Sequence, residues 1–167
     1  MKIQKRIMGQ LLTSCLLGST ALVAQRGTAP AKVAVSAPFA QQMIVKEKTM
    51  HPEIQKLGLH AVPPGQTQNV IIASNLPEKI GKVSAASDMQ HVAAGAPYAE
   101  KIVDEGYWDT FVPFHDHDGK VIGFLVMEVP FATAKTLEGA IEVGTSIRNE
   151  VERQVPTEAA LFAPAPQ

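Results

Sequence analysis

The sequence predicts an α+β domain built on a central antiparallel sheet. Three observations lead there. Apolar, β-branched runs come in pairs joined by short turn signals: Leu57–Val62 and Asn69–Asn75 across Pro63-Pro64-Gly65, then Tyr107–Asp116 and Lys120–Phe131 across His117-Asp118-Gly119. Helical periodicities stand outside these pairs, near both ends of the chain. The length of 167 residues, 46% of them hydrophobic, suits one domain with a single core. Strands paired by hairpins with helices set aside imply an antiparallel sheet.

Taken in order, Phe39–Lys56 starts as an amphipathic helix with Phe39, Met43 and Val45 or Lys46 at helical spacing, and Pro52 ends or restarts it. Leu57, Leu59 and Ala61 alternate on one face of a strand, with His60 opposite. Asn69–Asn75 is its hairpin partner. Ala85–Ala94 reads as a short helix with Asp88 in its first turns, and Pro97–Asp104 as a second. The Asp118-Gly119 pair supplies the positive φ that a tight hairpin turn requires. Thr133 or Thr136 caps a last helix running to Val155, with Leu137, Ala140, Ile141, Gly144, Ile147 and Val151 on one face and Pro156 as its stop. No internal repeat appears, which removes solenoids and propellers.

The first 24 residues read as an address. Met1–Arg6 is short and positive, and Ile7–Ala24 is apolar to weakly polar with small residues toward its end, the pattern of a secretory signal peptide cleaved near Ala24. That reading is preferred to a lipoprotein signal at Cys15 and to a retained anchor, whose span Gln10, Thr13, Ser14, Ser19 and Thr20 weaken. Cys15 is the only cysteine, so a cleaved chain has no disulfide and no catalytic thiol. A periplasmic or secreted location is expected. Gln25–Pro38 reads as a flexible leader, Phe39–Phe162 as the domain and Ala163–Gln167 as a disordered tail. The formal charge of −1 carries no electrostatic footprint for nucleic acid.

Two segments resemble a known family. Asn69–Lys82 (NVIIASNLPEKIGK) is similar to the stretch of extracellular Cache domains where a strand precedes an "iGk" motif. Phe111–Phe131, with Asp116-His117-Asp118-Gly119-Lys120-Val121-Ile122-Gly123, resembles the last hairpin of Cache and PAS-like sensor domains. The likeness covers about Met50–Phe131. It implies a long N-terminal helix, a central antiparallel sheet, short crossing helices, a C-terminal helix, and a small-molecule pocket between sheet and helices. The amino-acid-binding branch uses a Tyr/Arg/Trp constellation. Beyond residue 24 this chain has Arg only at 26, 148 and 153, which disfavours an amino-acid ligand.

The pocket would draw on the inward faces of Leu57–Val62, Asn69–Asn75, Tyr107–Asp116 and Lys120–Phe131, closed by Lys82–Ala94. Its candidate lining is His60, Ile72, Asp88, Tyr107, Trp108, Phe111, Phe124 and Glu128. Each has a plainer reading. His60 suits a satisfied strand histidine better than a ligand contact or an axial haem ligand. Asp88 suits a helix N-terminal acid. Glu128, on the face of Ile122, Phe124 and Val126, is either a strand-end residue facing water or a pocket acid with a raised pKa. Tyr107 and Trp108 point to opposite faces. His115-Asp116-His117-Asp118 contains metal-competent groups, but the turn interrupts their geometry, and a solvated hairpin tip is preferred. His51 and His91 carry no signal. Glu100 with Asp104 would form a solvated carboxylate pair on one helix face.

Catalytic templates are absent: no G-x-S-x-G elbow, Walker loop, H-E-x-x-H or Rossmann glycine pattern occurs. The sequence therefore predicts an exported, non-enzymatic small-molecule-binding domain of sensor type, without a cofactor. With few cationic groups foreseen inside, a neutral or cationic ligand is favoured, together with a membrane signalling partner or a homodimer. An envelope interaction protein using the sheet face or the last helix is the alternative, marked by an exposed apolar stripe on Leu137–Val151. A haem or metal binder through His60 or His115/His117 is the third reading.

Overall fold

Strands β1 (Lys56–Ala61), β2 (Val70–Ser74), β3 (Tyr98–Ile102), β4 (Tyr107–His115) and β5 (Val121–Pro130) form one sheet in the order β2-β1-β5-β4-β3. Every neighbouring pair is antiparallel. The computed structural model describes residues 32–166. The expected signal segment, Cys15 and the first half of the leader (residues 25–31) lie outside them. Three helices accompany the sheet: α1 (Pro38–Met50), α2 (Ala86–Ala93) and α3 (Leu137–Glu152). No helix among the described residues is long and apolar enough to cross a membrane.

Three of the four pairings join strands adjacent in sequence. The fourth, β1 with β5, sets Lys56 opposite Glu128 and His60 opposite Phe124, and joins the two predicted hairpins into one sheet. The turn signals act where expected: Gly119 takes φ 76°, a conformation open to glycine at no steric cost. Pro113, inside β4, lies past the last β3 pairing at Phe111, so its missing N–H leaves no ladder bond unmade on that side.

One element differs. The stretch expected as a helix over Pro97–Asp104 is strand β3 followed by a turn. Local propensity allowed either state. Pairing with Tyr107–Phe111 of β4 decides it, because tertiary ladder bonds outweigh a weak local preference. Glu100 and Asp104 therefore share no helix face; Glu100 stands opposite Asp109 in the ladder.

The two faces of the sheet are unequal. On one, Leu57, Leu59, Val112, Phe114, Leu125, Met127 and Val129 pack with Met43 and Ile44 of α1 and Ala140, Ile147 and Val151 of α3 into the main core. Gly144 lets α3 lie close: a Cβ there would stand 2.9 Å from Thr110 Cγ2 and 3.0 Å from Val112 Cγ2. Thr136 caps α3, its Oγ1 accepting the Gly139 N–H at 3.1 Å. Ala140, Gly144, Ile147 and Val151 are thus buried in the fold; of the apolar stripe, Ile141 is partly buried and Leu137 exposed. Val33 and Val35 also pack against this core, Val33 donating to the Gly81 carbonyl at 2.9 Å.

The apolar cluster of the second face is small: Phe111, Phe124 and Val126, joined by Val92 of α2 and Tyr98. What covers it is the segment from Pro77, a short 3-10 turn, through α2. A thin cover over a sheet face leaves room beneath it.

Candidate binding cleft

That room is a cleft of about 130 Å³ between the second face and residues 79–88. Its walls are Lys56 and His60 from β1, Ile71 from β2, Asp109 and Phe111 from β4, Val126 from β5, and Lys79, Lys82, Ser84 and Asp88 from the cover. A wider groove of about 540 Å³ lies between the Pro63-Pro64-Gly65 loop and residues 157–162. Its charges satisfy each other, Lys120 Nζ lying 2.9 Å from Glu158 Oε2, so it offers less unmet chemistry.

The period of two on β4 aims Asp109 and Phe111 into the cleft and sends Trp108, Thr110 and Val112 to the main core. Asp109 is the outlying group. Its Oδ1 is buried with no hydrogen-bond partner. Burial pushes its carboxyl up to about 6; Lys56 pulls against this, and the charges of Glu128, Asp88 and Glu100 add to the rise. The Lys56 ammonium is held by Glu128 Oε1 at 2.9 Å, so it neutralises the neighbouring acid more directly than Asp109.

His60 is buried, and its ring lies 4.4 Å, centroid to centroid, from Phe124. Ser84 Oγ donates to Asn69 Oδ1 at 2.6 Å and so receives the His60 Nδ1–H at 2.8 Å. Burial, assisted by Lys56 and Lys82, pulls the imidazole down to about 3, and the ring is neutral at physiological pH. The Nδ1–H bond leaves Nε2 free, but a cleft of about 130 Å³ is too small for a porphyrin. Asp88 does what a helix N-terminal acid does, its Oδ2 accepting the Ala85 N–H at 3.2 Å, and it lines the cleft as well.

Of the eight candidate residues, His60, Asp88 and Phe111 meet in the cleft, Phe124 supports His60, and Glu128 holds Lys56 at its margin. Tyr107 sits at the strand end with its hydroxyl donating to Glu105; burial first, then that bond, raises its phenol. Trp108 faces away, its indole N–H donating to the Ala134 carbonyl at 3.0 Å in the main core. Ile72 belongs to the main core too: it alternates with Ile71, which turns to the cleft, and the register shift between Leu59 and His60 leaves Ala73 beside it in the core. The same physics separates Ile122 from Glu128. A bulge between Phe114 and His115 sends Ile122 to the main core, off the face it was expected to share with Phe124 and Val126.

Sequence reasoning missed Lys56, Lys79, Lys82, Ser84 and Asp109. Few cations are expected inside from the sequence; Lys56, Lys79 and Lys82 stand at the border of this cleft, Lys82 exposed and the other two partly buried. The signal that could have found Asp109 is an acid within the aromatic strand YWDTFVPFH, on the face of Phe111.

The hairpin tip is built for itself. Asp116 Oδ1 accepts the N–H groups of Asp118 and Lys120 at 3.1 and 3.0 Å, and His115 Nδ1 lies 2.8 Å from Glu152 Oε1. Among the described residues, His115, His117 and their aspartates bring no three ligating atoms together.

No family model and no curated protein matches the chain. Three solved structures are partly similar. One is described as a transcriptional regulator of Rhodococcus sp. RHA1, at 12% identity and TM-score 0.49, covering 72% of this chain and 70% of that one. The C-terminal domain of the Escherichia coli transcriptional regulator KdgR matches at 13% and 0.42, covering 71% and 97%. The periplasmic domain of RsbU from Chlamydia trachomatis matches at 16% and 0.39, covering 71% and 40%. With TM-scores below 0.5, none of these likenesses bears on what this chain does.

Proposed function

We propose that the chain is a sensor-type domain of the PAS/Cache kind that binds a small molecule in the cleft beneath residues 79–88. The observation that carries this reading is Asp109, a buried carboxyl with an unmet oxygen on a cleft wall that also holds three lysines. A buried polar atom without a partner costs roughly 1–3 kcal/mol, and a ligand donor placed there relieves it. A cavity of about 150 Å³ holds benzene in an engineered protein, so the 130 Å³ here suits a ligand of about six non-hydrogen atoms. Lys79 and Lys82 favour an anionic group at one end, and Asp109 a hydroxyl or amine donor at the other. The ligand class is thus a short carboxylic acid with a donor. This differs from the neutral or cationic ligand expected from the sequence, because three lysines border the cleft. Export, and a membrane partner that reads the bound state, complete the proposal.

Thermal unfolding of the purified chain with two- to four-carbon hydroxy acids, and with their amides and amines, tests it. Acids at millimolar concentration are expected to raise Tm in the wild type and not in Lys79→Met/Lys82→Met. Equal stabilisation by the amides or amines, or none by any acid, overturns the reading. Intact mass of the protein recovered from cells tests export through loss of the first 24 residues.

A further inference from the structure

On the far side of the molecule from the cleft, the C-terminal ends of α1 and α3 bring together Glu47, His51 and Glu150. One ligating atom from each lies within 4.8 Å of the others. Glu47 is fully buried; its Oε1 accepts from Gln154 Nε2 at 2.8 Å, while its Oε2 is buried with no partner. His51 stands between two acids, Nε2 at 3.2 Å from Glu150 Oε2 and Nδ1 at 3.2 Å from Glu53 Oε1. No lysine or arginine is ion-paired with Glu47, Glu53 or Glu150 among the described residues.

A fully buried carboxylate with an unmet oxygen is costly unless a cation or donor meets it. The hydrophobic effect does not explain Glu47, because a leucine would fill the position without that cost. The three donors match a known coordination chemistry. Two carboxylates neutralise a divalent ion, and an imidazole selects zinc-class metals over calcium or magnesium. Glu53 completes the pattern: an acid on the far nitrogen of a ligating histidine fixes its tautomer and raises its basicity. The side chains of His51 and Glu150 are 21% and 30% exposed, so a fourth position opens to solvent. Bonds of about 2.0–2.2 Å in a tetrahedral set require the ligand atoms to close to roughly 3.3–3.5 Å, a movement that the partly exposed His51 and Glu150 side chains can make toward the fixed Glu47.

We propose that Glu47, His51 and Glu150 form a zinc-class divalent metal site, with Glu53 as the acid behind His51, that clamps the end of α1 to the end of α3. Metal binding would fasten two helix ends that otherwise meet through side chains alone. The site shares no residue with the cleft and stands or falls independently of the ligand proposal.

The full chain, stripped with chelator and dialysed, is titrated with Zn²⁺ by calorimetry and with Co²⁺ by visible absorbance. Thermal unfolding is followed in parallel. One equivalent of Zn²⁺ at low micromolar metal or below, a tetrahedral-type Co²⁺ band, and a Tm that rises with metal are expected. Glu150→Gln and His51→Gln should weaken uptake at least tenfold. Glu53→Gln should weaken it by about 10–100-fold. Glu47→Gln should abolish the metal-dependent Tm rise while making the metal-free protein more stable, an increase that a damaged fold would not show. His117→Gln should bind as the wild type does. The absence of uptake at these concentrations, or uptake that survives Glu47→Gln and Glu150→Gln, overturns the proposal.

Discussion

Asp109 stands directly opposite Glu128 across the β4–β5 ladder, and the ammonium of Lys56 lies 2.9 Å from Glu128. Directly opposed residues in an antiparallel pair share a face with Cβ atoms about 4.5–5.5 Å apart, so like charges there repel. Glu100 flanks Asp109 from the other side, opposite it in the β3–β4 pairing. One lysine is bonded to one acid of this row. Asp109, the more deeply placed, is left with an unmet oxygen and a carboxyl that titrates near 6.

The first prediction follows by linkage. The folded pKa of Asp109 lies above its ordinary 3.8, so the native state holds the proton that the unfolded chain releases, and stability contributed by this group falls as pH rises from about 4 to about 6. Asp109→Asn should therefore match the wild type near pH 4 and exceed it by roughly 1–3 kcal/mol at pH 7. Urea unfolding at the two pH values checks this. A uniform offset at both pH values would contradict it.

His60 works in the opposite direction over an overlapping window. Its folded pKa lies below 6.5, so stability from the neutral ring is present above 6.5 and is lost as pH falls toward 3. His60→Gln keeps a polar partner for Ser84 but loses the packing on Phe124. It is expected to be less stable than the wild type at pH 7 and to show a smaller fall in Tm between pH 7 and pH 4.5.

Lys56 is the nearest brake on the Asp109 carboxyl. Lys56→Met removes the charge that opposes burial there and leaves Glu128 without its ion-pair partner. The Asp109 carboxyl should then titrate above 6, followed by its carbon-13 chemical shift in a protein labelled at aspartate. A midpoint at or below that of the wild type would show that Lys56 does not act on Asp109.

Gly144→Ala tests the closeness of α3 to the sheet. The added methyl would press on Thr110 Cγ2 and Val112 Cγ2, both on buried residues. Alanine gains roughly 1 kcal/mol of helix propensity over glycine. Overpacking of a filled core costs about 1–3 kcal/mol, so the balance is expected to favour a lower Tm. A variant at least as stable as the wild type would mean that the interface gives way without cost.

Much of the frame is legible in the residues. Pro63-Pro64-Gly65 and Asp118-Gly119 announce two hairpins, Pro52 marks the end of α1, and Thr136 and Pro156 bracket α3, because turn and cap chemistry is local. Strand β3 is not legible, since YAEKI has no strong preference until β4 lies beside it. Faces are legible only between irregularities. Alternation places Trp108 and Asp109, and likewise Ile71 and Ile72, on opposite sides, but the bulge at Phe114/His115 moves Ile122 to the side that strict alternation denies it.

The sequence by itself determined the α+β class, the two hairpins joined by turn residues, the helices at either end and the absence of a recognised catalytic motif, because these rest on interactions between near neighbours. Only the tertiary structure decided what gathers around a given side chain. Asp109 acquires Glu128, Glu100 and Lys56 from three other strands. His51 meets Glu150 across 99 residues of chain. Charge and burial, which set the chemistry of both places, depend on distance in space, and the linear order of residues does not carry that distance.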